Sequence, residues 1–126
     1  MIVLDTAALL HWTLDPDKLT SLAAKAIDKS DLIIVNTISI WEIGLKAKRG
    51  QLQLPLSIQA YADSLDQLHR VDIQSVTVDI WLKNLALDWE HRDPADRTIV
   101  ATAVLFNCPL ISPDREIRKF YDPTIW

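Results

Sequence analysis

Cysteine is nearly absent. Cys108 is the only one in 126 residues, which excludes an intramolecular disulfide and denies zinc a thiolate ligand set. A reducing cytosol is the expected compartment. Glycine is almost as scarce, with two residues, so flexible linkers and phosphate-cradling loops have little to be made from. No stretch approaches the roughly 20 apolar residues of a membrane-spanning helix. The first residues, Met1-Ile2-Val3-Leu4, carry no basic segment, and Asp5 ends the apolar run, so no secretory leader is expected. Glutamate is rare too. Of 17 acids only Glu42, Glu90 and Glu116 are Glu, and the rest are aspartate, a residue of caps, turns and hard-metal sites. With 13 bases the net charge is −4, which argues against indiscriminate coating of nucleic acid. It does not exclude a nuclease, because bound divalent metal offsets carboxylate charge locally.

What is present is an ordinary globular balance, 49% hydrophobic and 24% charged. At roughly 150 residues per domain, residues 1–126 are expected to form one domain. Ile2-Val3-Leu4 predicts a buried strand, followed by a helical turn or two from Thr6 to His11. Pro16 breaks the chain. Asp17 to Lys29 predicts a helix, with Leu19, Leu22, Ala23 and Ala26 on one face. Leu32-Ile33-Ile34-Val35 is the clearest strand, with Asn36 and Thr37 as cap candidates for a helix over 38–49 that Gly50 ends. A helix over 57–68, a strand near 73–76 and a helix over 79–87 follow. Asp93-Pro94 opens a helix running to Phe106. Leu110-Ile111, a short helix over 114–120 and a last edge strand over 124–126 complete the chain. Strands alternating with helices predict a parallel α/β sheet covered on both faces. In such folds ligands bind beyond the carboxyl ends of the strands.

Four acids fall where that rule points. Asp5 ends the first strand and Asp114 follows the strand at 110–111. Glu42 lies in the first turns of the helix after the second strand, and Asp96 in the first turn of the helix opened by Pro94. Converging carboxylates repel one another, and a hard divalent cation with oxygen ligands resolves the repulsion. Mg2+ or Mn2+ fits better than zinc. Each acid also has an ordinary structural use. Asp5 and Asp114 suit N-caps, and Asp93 suits the cap before Pro94. Glu42 is in reach of Lys46 one turn on, although Ile38 and Leu45 border it.

These residues are similar to a known pattern. The chain resembles PIN-domain ribonucleases of the VapC-type toxin group. The resemblance rests on Ile2-Val3-Leu4-Asp5-Thr6-Ala7-Ala8-Leu9, on Trp41-Glu42 with Lys46, on His91-Arg92-Asp93-Pro94-Ala95-Asp96-Arg97, and on Leu110-Ile111-Ser112-Pro113-Asp114, in the expected order over the whole chain. Ser112 stands where the group commonly has Thr. The resemblance implies a PIN-like three-layer α/β/α fold with a mainly parallel sheet of about five strands. It implies an endoribonuclease holding one or two Mg2+ or Mn2+ ions, and a cognate antitoxin. The catalytic and metal-binding quartet carries over to Asp5, Glu42, Asp96 and Asp114, and the neighbouring hydroxyls to Thr6 and Ser112. A homodimer and a toxin–antitoxin hetero-oligomer, cytoplasmic and without membrane contact, are the expected assemblies.

Lys46, Arg97 and Arg115 are candidates to grip RNA phosphates, each close to a proposed ligand; ion pairing within the acid cluster is the alternative for the two arginines. His11 and His91 stay outside the expected catalytic set. Five tryptophans are many for a small core, so some are expected at a dimer interface or antitoxin groove. Rival classes fit less well. A haloacid-dehalogenase-like phosphatase needs a second Asp where Ala7 stands. A receiver domain needs an Asp directly after a middle strand, and here Thr77 and Val78 intervene before Asp79. A metal-dependent phosphohydrolase of another kind, or a catalytically silent RNA- or protein-binding module of the same fold, remains the alternative.

Overall fold

Strand β1 (Ile2–Leu4) lies at the centre of a five-stranded, wholly parallel sheet, here in a computed structural model that describes residues 1–126. The other strands are β2 (Ile33–Asn36), β3 (Val71–Gln74), β4 (Leu110–Ile111) and β5 (Thr124–Ile125), in spatial order β3-β2-β1-β4-β5. Leu4 pairs with Val35 on one side and Ile111 on the other. The chain therefore winds outward from β1 to β3, then returns to β1's other flank. The strand order reverses between β1 and β4, and that crevice is where an open α/β sheet presents a ligand site.

Seven helices cover the sheet: α1 (Thr6–Leu14), α2 (Ser21–Lys29), α3 (Thr37–Lys48), α4 (Ile58–Asp66), α5 (Val78–Ala86), α6 (Pro94–Phe106) and α7 (Arg115–Phe120). Alternate side chains of the strands point to opposite faces. Ile2, Leu4, Ile33, Val35 and Ile111 join Leu9, Ile27, Ile43 and Leu65 in one core. Val3, Ile34 and Leu110 join Ile99, Val100, Ala103 and Ile117 in the other. This is a three-layer α/β/α sandwich, as expected. Each fully buried Leu or Ile contributes about 1.5–3 kcal/mol of transfer free energy.

Local boundaries depart from expectation in three places. The first helix continues to Leu14, because Trp12 and Leu14 in the added turn pack against the core. The helix expected from Asp17 divides into a single 3-10 turn over Pro16–Lys18 and α2, whose N-cap Thr20 accepts from the Ala23 amide. The strand expected near 73–76 is two residues earlier. Pairing of Ile33 with Val71 and Asn36 with Gln74 sets its register, and Thr77 is taken as the cap of α5. Gly50 has φ +71°, a conformation that favours glycine, and it ends α3 as expected. No helix is long and apolar enough to cross a membrane.

Candidate active site at the β1/β4 crevice

Asp5 leaves β1 at its carboxyl end and is 4% exposed. One carboxylate oxygen, Oδ1, accepts from the Ala8 amide at 2.7 Å and caps α1. The other, Oδ2, accepts a short hydrogen bond from the Ser112 hydroxyl. Ser112 is itself buried, and its Oγ accepts from the Asp114 amide at 3.0 Å. The turn after β4 is thereby tied to the end of β1. Asp114 caps α7, with Oδ1 accepting from Glu116 and Ile117 amides at 2.8 and 3.1 Å. The capping use of Asp5 and Asp114 is therefore real. It coexists with their position at the crevice, since capping engages one oxygen of each carboxylate.

Asp96 lies in the first turn of α6, which Asp93 caps by accepting from the Asp96 amide at 2.9 Å. Asp96 Oδ2 is 2.8 Å from Nε2 of His91. His91 stacks on Trp89 with ring centres 4.6 Å apart, and Trp89 on Phe120 at 4.7 Å. An aromatic column thus holds the imidazole against the carboxylate. Sequence reasoning left His91 outside the site. Its signal was its place in the same short motif as Asp96, five residues before it.

Three of the four acids act on one another. Burial pushes the Asp5 carboxyl up to about 7; the Ser112 and Ala8 hydrogen bonds oppose the rise, and repulsion from Asp96 and Asp114 adds to it. Burial also raises the Asp96 carboxyl, against the His91 hydrogen bond, with further upward pushes from Asp93 and Asp114. No lysine or arginine makes an ion pair with Asp5, Asp96 or Asp114. Glu42 is half-buried in α3 and forms neither hydrogen bond nor ion pair, so the intrahelical pair with Lys46 is not made. No three acidic, histidine or cysteine side chains converge closely enough to form a closed ligand shell. The donor chemistry nonetheless fits a hard cation: oxygen ligands, excess negative charge and a buried carboxyl without a cationic partner. Mg2+ commonly takes only one or two protein carboxylates and keeps several waters.

The supporting residues are distributed unevenly. The buried Thr6 hydroxyl donates to Ser39 Oγ at 3.0 Å, joining α1 to α3 just behind Asp5. Lys46 and Arg115 are exposed and unpaired. Arg97 corrects the expectation made for it. Its guanidinium makes no ion pair with the acids. It donates to the carbonyls of Trp89 (2.5 Å), His91 (3.2 Å), Asn84 (2.6 Å) and Leu87 (3.2 Å), and to Asn84 Oδ1 (3.2 Å). Five planar donors match acceptors that run from Asn84 in the last turn of α5 through the segment before Asp93. Sequence spacing showed only that Arg97 is next to Asp96; on a helix, adjacent residues face different directions. Among the tryptophans, Trp41 and Trp81 are exposed, at 59% and 45%. Trp12 and Trp126 border one core and Trp89 the other.

The family model of the PIN domain matches residues 2–123. Ribonuclease VapC22 of Mycobacterium tuberculosis is 29% identical over 129 residues, covering 99% of this chain and 98% of its own. Among solved structures, a toxin-antitoxin complex from Klebsiella pneumoniae superposes with TM-score 0.70 at 18% identity, covering 100% of this chain and 97% of that one. FitAcB from Neisseria gonorrhoeae gives TM-score 0.65 at 16% identity over 97% and 94%. At these identities the structural likeness establishes the fold.

Proposed function

Because the chain belongs to the PIN domain family, we propose that it is an endoribonuclease that uses Mg2+ or Mn2+ and serves as the toxin of a toxin–antitoxin pair. The observation that carries the proposal is the buried carboxyl of Asp5, raised to about 7 and repelled by Asp96 and Asp114, with no lysine or arginine paired to any of the three. The relative named as a ribonuclease and the neighbour solved as a toxin-antitoxin complex support it.

Asp5, Asp96 and Asp114 would hold the metal, with Glu42 completing the quartet from α3. When bound, a divalent cation supplies the positive charge that a phosphodiester needs at the attacking and leaving oxygens. The chain's own residues set the geometry. Ser112 and Ala8 fix both oxygens of Asp5. His91 fixes one oxygen of Asp96 and leaves Oδ1 without a protein partner. Thr6 holds α1 to α3, which carries Glu42. Lys46 and Arg115 are free to contact phosphates. Arg97 supports the loop before the site instead.

The proposed partners are RNA, a cognate antitoxin and a second copy of the chain, in a cytoplasmic assembly. Val78, Trp81, Leu82 and Leu85 are exposed at 71%, 45%, 58% and 78% and recur at helical spacing on α5. A two-fold interface is the natural use of such a stripe. The activity is tested by incubating total cellular RNA with antitoxin-free protein in Mg2+, Mn2+ or EDTA, beside Asp96→Asn. Discrete metal-dependent products that vanish in the variant are expected. Equal cutting by both proteins, or no cutting by folded wild type that binds Mn2+, would overturn the nuclease assignment.

A further inference from the structure

Two adjoining grooves flank β5. One, about 460 Å3, is lined by Arg115, Arg118, Lys119 and Thr124. The other, about 450 Å3, includes Lys25, Lys29, Arg118 and Thr124 in its lining. They share Arg118 and Thr124, so they form one continuous surface. Five cations line them, beside apolar Leu22, Ala26, Ile125 and Trp126, and no aspartate or glutamate does, in a chain whose net charge is −4. All five are exposed. Lys25, Lys29, Arg115 and Arg118 make no ion pair, and only Lys119 is paired, loosely, with Glu116 at 3.7 Å. Clustering like charges without compensation opposes folding and has no evident structural use. Arg115, which lines the first groove, opens α7 directly after its cap Asp114, so the lining starts at the same helix end as that acid.

We propose that these grooves are a track for the sugar–phosphate backbone of single-stranded RNA, leading from the candidate site around the β5 edge to α2. The proposal rests on the ribonuclease assignment above and extends it to the path of the substrate. A polyanion supplies the charge the surface lacks and releases counterions on binding. The strand state follows from the path. Ile117 of α7 packs on one face of the sheet and Ala23 and Ile27 of α2 on the other. A backbone touching both helices must bend around the sheet edge within a few residues' width, which a stiff duplex resists and a single strand allows. Phosphate contacts of this kind position RNA without reading its sequence.

The test measures anisotropy of a fluorescein-labelled 20-nucleotide single-stranded RNA in EDTA, with wild type, Lys25→Ala/Arg118→Ala, and the charge-matched Lys48→Ala/Arg49→Ala at the far end of α3. Losing two phosphate contacts should raise Kd about tenfold near 0.15 M salt. It should also flatten the slope of log K against log salt by about 1.4, at about 0.7 per contact for single strands. The control double should keep the wild-type slope. Equal losses in both doubles would overturn the track, as would equal loss of a 20-base-pair RNA duplex. So would unchanged RNA binding with lost binding of polyglutamate, which would make the surface a seat for an acidic protein. Cleavage run in parallel separates the two claims. Wild type that cuts RNA, with a Lys25→Ala/Arg118→Ala variant that binds normally, refutes the track alone. Wild type that never cuts, with track-dependent binding, refutes the nuclease alone.

Discussion

Replacing Asp5 by Asn should stabilise the protein in the absence of metal. Folded Asp5 holds its proton up to about pH 7, whereas its ordinary value is 3.8. Between those values the folded state binds more protons than the unfolded one, so stability falls as pH rises through that window. Above it, the ionised carboxylate costs about 4 kcal/mol relative to an unperturbed one. Asn removes that cost. Its Oδ1 can still accept from the Ala8 amide. Its Nδ2, however, replaces the oxygen that accepted from Ser112, so the hydroxyl must turn to accept, at a loss of about 1–2 kcal/mol. The net gain near pH 8 is about 2–3 kcal/mol, or about 10 °C in Tm for a domain of this size. At pH 5 wild-type Asp5 carries its proton when folded but not when unfolded, a remaining cost of about 2 kcal/mol that the lost Ser112 hydrogen bond offsets, so the gain should vanish. Thermal melts in EDTA at both pH values measure this. Mn2+ should then raise the wild-type Tm and leave Asp5→Asn nearly unmoved. A variant that melts at or below wild type at pH 8, or that gains equally at pH 5, would refute the account of Asp5 as a buried, uncompensated carboxyl.

Two further outcomes follow from placements the structure made. Arg97→Lys keeps the charge but cannot reach all five acceptors from Asn84 to His91, so urea denaturation should show a loss of about 2–3 kcal/mol; full stability with weakened RNA affinity would instead restore Arg97 to phosphate binding. Leu85→Glu changes a side chain that is 78% exposed, so it should leave the fold intact while converting a homodimer to monomer in light scattering, and a dimer that survives would move the interface off α5.

The order of elements was legible because β1, β2 and β4 are short apolar runs closed by a polar residue. Ile33-Ile34-Val35 before Asn36, and Leu110-Ile111 before Ser112, announce both the strand and the turn that follows it. The positions of Asp5 and Asp114 were legible for a related reason. A residue ending a buried parallel strand must emerge at the carboxyl edge, whatever its distant neighbours are. The strand at 71–74 was misplaced because Val71-Asp72-Ile73-Gln74 and Ile73-Gln74-Ser75-Val76 alternate equally well. Only pairing with β2 separates them. Glu42 shows the same limit in the site. Its spacing placed it on a half-apolar helix face, but nothing local could say that it would stand apart from the hydrogen bonds that fix Asp5 and Asp96.

What the sequence by itself determined was the alternation of elements, the acids at strand ends and the caps that hold those ends, all of which depend on residues within a few positions of one another. Only the tertiary structure decided where long side chains reach and what surrounds them. It placed His91 on Asp96, turned Arg97 into a loop of carbonyls, buried Asp5 under Ser112 from 107 residues away, and brought Lys25 beside Arg118 across β5. Burial and long-range charge set those properties, and both are sums over neighbours that no local pattern encodes.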